Sequence, residues 1–316
     1  MSSEGGNKAI IAALGANLGI AITKLIAFAL TGMSSMLAEG IHSLADSGNQ
    51  LLLLVGGRRA KKAATPEHPF GYGRERYVFG FVVSIVLFSL GGLFALYEAY
   101  HKAHEAHAGK GERPGFGQDW WWVPVVVLLA AIVLEGLSFR TAVRESNPHR
   151  GDSSWLQFIR RAKAPELPVI LLEDFAALVG LVFALFGVVL SVLTRSSYWD
   201  AAGTGLIGLL LVAVAVVLAI ETKSLLVGES ASPSVALAIV AAIEGAPGVD
   251  RVIHAKTLHL GPEELLVAAK IAVGASDTGA DVARAIDAAE ERARASAPDL
   301  RLVMYLEPDL DIAPVR

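Results

Sequence analysis

Six stretches of this chain are apolar for about the length of a membrane crossing, and then the pattern changes. By the ~20-residue criterion for a spanning helix they lie at about 8–31, 35–57, 77–100, 120–141, 166–193 and 199–222. Several are rich in Gly and Ala, which lets helices approach closely in lipid. Beyond residue 229 the period becomes that of a soluble domain. It holds an amphipathic helix at 232–244, a Gly-rich break at 245–248, and strands at 252–260 and 265–273 joined by Gly261-Pro262-Glu263-Glu264. A helix at 277–297 and a last strand at 300–306, closed by Pro308, complete it. The predicted fold class is an α-helical membrane protein. Six transmembrane helices occupy 1–225, and a small α+β domain of order αββαβ occupies 229–316.

Charge then orients the spans. Arg58, Arg59, Lys61, Lys62, Arg74 and Arg76 fall between spans two and three, and Arg144, Arg150, Arg160, Arg161 and Lys163 between spans four and five. The alternate loops carry little net positive charge: in 101–119, Lys102, Lys110 and Arg113 are balanced by Glu105, Glu112 and Asp119. The positive-inside rule therefore puts both termini in the cytoplasm, in what reads as a bacterial-type inner membrane. Trp120, Trp121 and Trp122 at the start of span four, with Tyr198 and Trp199 at the start of span six, fit an aromatic belt at the outer interface. The polar opening MSSEGGNK and a full-length first apolar run give no sign of a cleavable leader.

Composition changes the picture in two respects. The chain is 53% hydrophobic, more than a soluble protein of this length needs. It has no cysteine, which removes disulfides and thiolate metal ligands and leaves His, Asp, Glu and backbone oxygen for any metal. The net charge of −4 points to no class of partner, nucleic acid included.

The chemistry lies in the polar residues inside the spans. An ionisable group at membrane depth costs a few kcal/mol or more, so it faces a water-filled or ion-filled interior. His42 and Asp46 stand four apart in span two and share a helix face, where an imidazole and a carboxylate suit a divalent transition metal. The alternative for the pair is a hydrogen-bonded polar contact between helices. Asn49 lies on the same face and can complete a ligand shell or orient Asp46. Glu173 and Asp174 are adjacent in span five, about 100° apart on a straight helix, so both cannot aim squarely inward. Glu39 reads as a structural partner for Lys24, and Glu135 is left open. No nucleophile with a base and no HExxH motif is present, which argues against an enzyme.

The stretch Ser34-Ser35-Met36-Leu37-Ala38-Glu39-Gly40-Ile41-His42-Ser43-Leu44-Ala45-Asp46-Ser47-Gly48-Asn49 resembles the span-two signature HSxxDxxN of the cation diffusion facilitator family. Asn17, Lys24 and His68-Pro69-Phe70-Gly71-Tyr72-Gly73-Arg74 also match that family's habits. The Glu173-Asp174 pair is similar to one branch of its zinc transporters. The resemblance implies a homodimeric exporter of a divalent metal by proton antiport, with a ferredoxin-like, metallochaperone-like C-terminal domain and no prosthetic group. Carried over by position, it implies His42, Asp46 and Asp174 as metal ligands, Glu173 as a less secure one and Asn49 in support. Zn²⁺ leads, with Fe²⁺, Mn²⁺, Co²⁺, Ni²⁺ or Cd²⁺ as alternatives, because Ile170 stands where the family commonly has a second His. His68 is a possible second site, though Tyr72 occupies the position of its usual partner. His101, His104 and His107 read as a solvated helix end, with loose metal binding as the alternative. In the last domain His254, His259, Glu307 and Asp309 form no compact set, and Tyr305 stands where the family frequently has His. A membrane metal sensor, binding the ion without flux, is the rival reading.

Overall fold

The computed structural model describes residues 2–31, 34–109 and 122–310. The side chains of Glu39 and His42, and the residues Trp120 and Trp121, lie outside the described set. The long helices are α1 (Ser2–Thr31), α2 (Ser34–Arg59), α3 (Glu75–Val86) continued through a π-helical turn Leu87–Leu93 into α4 (Phe94–His107), α5 (Val123–Arg150), α7 (Glu166–Thr194) and α8 (Tyr198–Val227). A short helix, α6 (Trp155–Arg161), precedes α7. Among the described residues, Glu75–His107, Val123–Arg150, Glu166–Thr194 and Tyr198–Val227 are each long and apolar enough to cross a membrane, and α1 contains a shorter apolar stretch, Leu14–Ile26. With α1 and α2 these make the six-helix membrane architecture that hydropathy predicts.

Helices run past the apolar runs that reveal them. Span four was expected to end at 141, but α5 continues to Arg150, because backbone hydrogen bonding does not stop where lipid does. The short α6 was not expected, although its start is a capping box: Ser154 Oγ accepts from Gln157 N, and Gln157 Oε1 accepts from Ser154 N.

Two compact units emerge, one of Ser2–Arg58 with Arg76–Lys223 and one of Arg59–Glu75 with the chain from Ser224 on. In the membrane unit, the apolar core joins Leu53 of α2, Val83 and Leu87, Ala142 of α5, Ile170 of α7 and Leu218 of α8, all buried. At the start of α7, the Arg76 guanidinium grips the Glu166 carboxylate as a two-toothed fork, with Nη2 2.8 Å from Oε2. Glu166 also sits in the first turn of α7, where the helix dipole favours an anion. Further along, α7 and α8 cross through two glycines. A Cβ on Gly203 would meet Phe183 O at 2.9 Å, and one on Gly187 would meet Trp199 O at 3.0 Å. Backbones this close leave no room for side chains.

The other unit contains α9 (Pro233–Glu244), β1 (Arg251–Gly261), β2 (Glu264–Ala272), α10 (Gly279–Ser296) and β3 (Arg301–Asp309), the order αββαβ. The sheet order is β1-β2-β3, antiparallel then parallel. Leu265, Val267, Ala269 and Ile271 of β2 alternate inward onto Ile239 and Ile243 of α9 and Ala285, Ala289 and Ala293 of α10. Pro308 does not close the last strand, as had been expected, but pairs with Ile271 inside it. An edge strand tolerates this, since one side of its backbone needs no donor. The Arg59–Glu75 segment belongs to this unit, with Gly73 packed on the backbone of Leu260 and Gly261.

Substituting Gly203→Val should separate α7 from α8. We expect a loss of roughly 1–3 kcal/mol, the cost of overpacking, read as a lower melting temperature of the purified protein in detergent. Gly15→Ala, where an added Cβ meets nothing within 4 Å, should leave the melt unchanged or raise it.

Candidate metal site

Within the membrane unit the polar side chains of four helices gather. Asp46 (α2), Glu135 (α5), Glu173 and Asp174 (α7) are 1–7% exposed, and so are Asn17 and Lys24 of α1. Glu135 is within electrostatic reach of Asp174, Asp46 and Lys24, and Glu173 within reach of Asp46 and Asp174. In a low dielectric such charges interact far more strongly than in water.

The two adjacent acids of α7 turn to different helices, as a 100° separation requires. Glu173 faces α2. Its Oε1 accepts from Asn49 Nδ2 at 2.8 Å and its Oε2 from Gln50 Nε2 at 3.0 Å, all three side chains being buried. Asp174 faces α5, where Ser138 Oγ donates to its Oδ2 at 2.7 Å. The other oxygen, Asp174 Oδ1, is buried without a hydrogen-bond partner, and so are the amide oxygens Asn49 Oδ1 and Gln50 Oε1. Bare buried oxygens are costly unless they accept from a proton or a cation.

Next to this network is a cavity of about 40 Å³, lined by Asn17, Lys24, Ser43, Asp46 and Glu135 and closed by apolar residues of α7 and α8. That exceeds the roughly 10–15 Å³ needed to hold one water. Lys24 Nζ donates to Ser43 Oγ at 3.0 Å across it. Lys24 therefore meets α2 at Ser43, and the Glu39 side chain expected as its partner lies outside the described residues.

Of the expected site residues, Asp46, Asn49, Glu173 and Asp174 lie in this one region. His42 is on α2 one turn before Asp46, and its side chain lies outside the described residues. Among the described residues, no three His, Asp or Glu side chains come close enough to hold a metal ion. Glu173 is taken up by amides instead. His68 lies in the other unit, exposed, with its ring 4.7 Å from that of Tyr72. His101, His104 and His107 do not converge: His101 meets Glu105 at 3.6 Å, His104 stacks on Tyr100 and His107 approaches the Tyr198 hydroxyl at 3.5 Å. In the sheet unit, Glu307 and Asp309 both pair with Lys270, at 3.1 and 2.8 Å, and hold its ammonium above the usual lysine range. His259 is buried with Nδ1 3.2 Å from Gly261 O.

Sequence reasoning missed Gln50, Ser138 and the central position of Glu135. Gln50 was within reach, being four beyond Asp46 and eight beyond His42 on the same stripe. Ser138, three beyond Glu135, extends the buried face of α5 formed by Ala131, Glu135, Ala142 and Ser146.

The amide clamp makes a measurable prediction. Interhelical hydrogen bonds in membranes average about 0.6 and reach about 1.7 kcal/mol, whereas bonds to a charged acceptor are worth roughly 1.5–3 kcal/mol. Because Glu173 has one donor per oxygen, Asn49→Ala should fall near the top of the first range. A double-mutant cycle with Glu173→Gln should be non-additive, since the second change removes what the first has already broken.

Residues 10–227 match the family model for the cation efflux transmembrane domain. A Xenopus laevis protein named as a mitochondrial proton-coupled zinc antiporter, SLC30A9, is 28% identical over 86% of this chain and 47% of its own length. The human protein of that name is 27% identical over 82% of this chain and 44% of its own length. Metal tolerance protein C4 of Arabidopsis thaliana is 23% identical over 86% of this chain and 58% of its own length. The chain thus spans about half the length of the curated relatives it matches. The bacterial-type inner membrane expected above gains no support from relatives whose names place them in mitochondria. With the family model matched over residues 10–227, which include the polar network of the membrane unit, the chain belongs to the cation efflux family, the cation diffusion facilitators.

Proposed function

We propose that this protein is a secondary active transporter that exports a divalent transition-metal ion, Zn²⁺ first, by proton antiport and alternating access. The observation that carries the reading is Asp174: buried at 1% exposure in the membrane unit, bound by Ser138 through one oxygen, and with the other oxygen bare. Asp46, on another helix, lies within its electrostatic reach. Two carboxylates from facing helices balance a divalent charge, and His42 one turn from Asp46 adds the nitrogen that zinc favours. The names of the SLC30A9 relatives agree with the metal and with the coupling ion. With only one imidazole in the set, Fe²⁺, Mn²⁺, Co²⁺, Ni²⁺ and Cd²⁺ remain alternative cargoes.

In this reading His42, Asp46 and Asp174 hold the ion. Asn49 and Gln50 hold Glu173, which positions α2 against α7 until the ion or a proton changes the charge between them. Metal and protons compete for the same ligands, so low pH releases the ion. The proposed assembly is a homodimer of chains, each with a membrane domain (1–225) and a C-terminal domain (229–316), and with both termini in the cytoplasm. The His68 segment, lying with the C-terminal sheet, is a possible second metal site.

Flux in sealed proteoliposomes tests this, with a metal-sensitive dye inside, a panel of divalent ions outside and an imposed pH gradient. We expect uptake of Zn²⁺ or one of the alternatives that depends on the gradient and is abolished in Asp46→Ala and Asp174→Ala, both still assembled. Flux retained in either variant sinks the ligand assignment. Binding without flux for every ion would favour the sensor. Apparent metal affinity should fall as pH drops, and Gly111→Cys and Asp152→Cys, introduced into a chain with no cysteine, should label from opposite sides of the membrane.

A further inference from the structure

The basic residues between α5 and α7 do more than orient the chain. They line a second cavity, about 260 Å³ in volume, enclosed by the end of α5, the short α6 and the start of α7. Arg150, Arg161 and Lys163 supply its positive charge, His149, Ser153 and Gln157 its other polar groups, and no carboxylate lines it. Of the acids near it, Glu166 is engaged with Arg76 and Glu221 with Arg160 at 3.9 Å, and Asp152 lies in the exposed turn between α5 and α6. Arg150 is partly preset. One of its nitrogens donates to Ser153 O, its guanidinium lies 4.7 Å from the Trp155 ring, and its Nε is buried without an acceptor. A cationic pocket with a bare buried donor requires an anion, and arginine's planar fork suits phosphate oxygens in particular.

Its setting selects the anion. The cavity lies between the ends of two membrane helices. The adjoining α6 presents Trp155 and Leu156, at 37% and 65% exposure, beside the polar wall. An aromatic ring and an aliphatic side chain next to clustered arginines match the boundary between headgroups and acyl chains. The volume falls just below the roughly 300–1,000 Å³ of small-molecule pockets, large enough for a headgroup and too small for a whole lipid.

We propose that the α5–α6–α7 cavity binds the phosphate headgroup of an anionic membrane phospholipid, whose chains run down beside Trp155 and Leu156. The site is independent of the metal reading and would stand if that reading fell. Native mass spectrometry of the full-length protein, supplied with phosphatidylglycerol or phosphatidylcholine of matched chains, tests it. Phosphatidylglycerol should be retained in preference. Arg161→Gln and Lys163→Gln should each weaken retention about fivefold, and together about twenty-five-fold, the worth of one and two juxtamembrane basic residues. Arg144→Gln removes the same charge from an exposed position on α5 outside the cavity and controls for bulk electrostatics and folding, so it should leave retention unchanged. Equal retention of the two lipids, or equal losses in Arg144→Gln and Arg161→Gln, would overturn the proposal. So would displacement of the lipid by millimolar inorganic phosphate, which would make this a site for free anions.

Discussion

A carboxylate cannot be taken into hydrocarbon without a donor, a proton or a cation to accompany it, and the membrane half of this protein is arranged around four of them. Asp46, Glu135, Glu173 and Asp174 come from three helices; amides from α2 answer Glu173, a hydroxyl from α5 answers Asp174, and an ammonium from α1 lies within electrostatic reach of Glu135. The polar contacts therefore fix helix packing as much as the apolar ones do. In lipid this counts for more than it would in water, because burying leucine against leucine gains little when the tails outside are equally apolar.

The same constraint explains what was legible in the sequence. Hydropathy reports the solvent around a helix, so six spans could be read from it, while the helices themselves run further, as α5 does to Arg150. Periodicity reports helix faces, so His42, Asp46 and Asn49 stood out as one stripe. Neither reports which helix lies opposite. Glu173 takes its donors from positions 123 and 124 residues away, and no local pattern joins α7 to α2 over that distance. The divergence of Glu173 from Asp174 was legible as geometry, but which of the two would keep a bare oxygen depended on Ser138 offering one donor where Asn49 and Gln50 offer two. The αββαβ order was read correctly from alternation and turn residues. Pro308 misled, because proline stops a strand only where both edges are paired.

The contacts of α7 differ in kind along its length, and the difference bears on how an ion could pass. At its start it is gripped by the Arg76 fork, and near its end Gly187 sits against the backbone of α8. Between them, Glu173 and Asp174 are held by hydrogen bonds from side chains alone. A glycine crossing cannot loosen a little, since its stability is the close approach itself. A hydrogen bond to a carboxylate can be exchanged for a proton or a metal–oxygen bond at small net cost, because the oxygen stays satisfied throughout. On the proposed reading, a divalent ion at Asp46 and Asp174 would alter the charge that the Asn49–Gln50–Glu173 clamp answers. The fixed pair would then be α7 with α8 and the movable element α2, joined to α7 by bonds that the cargo itself can replace.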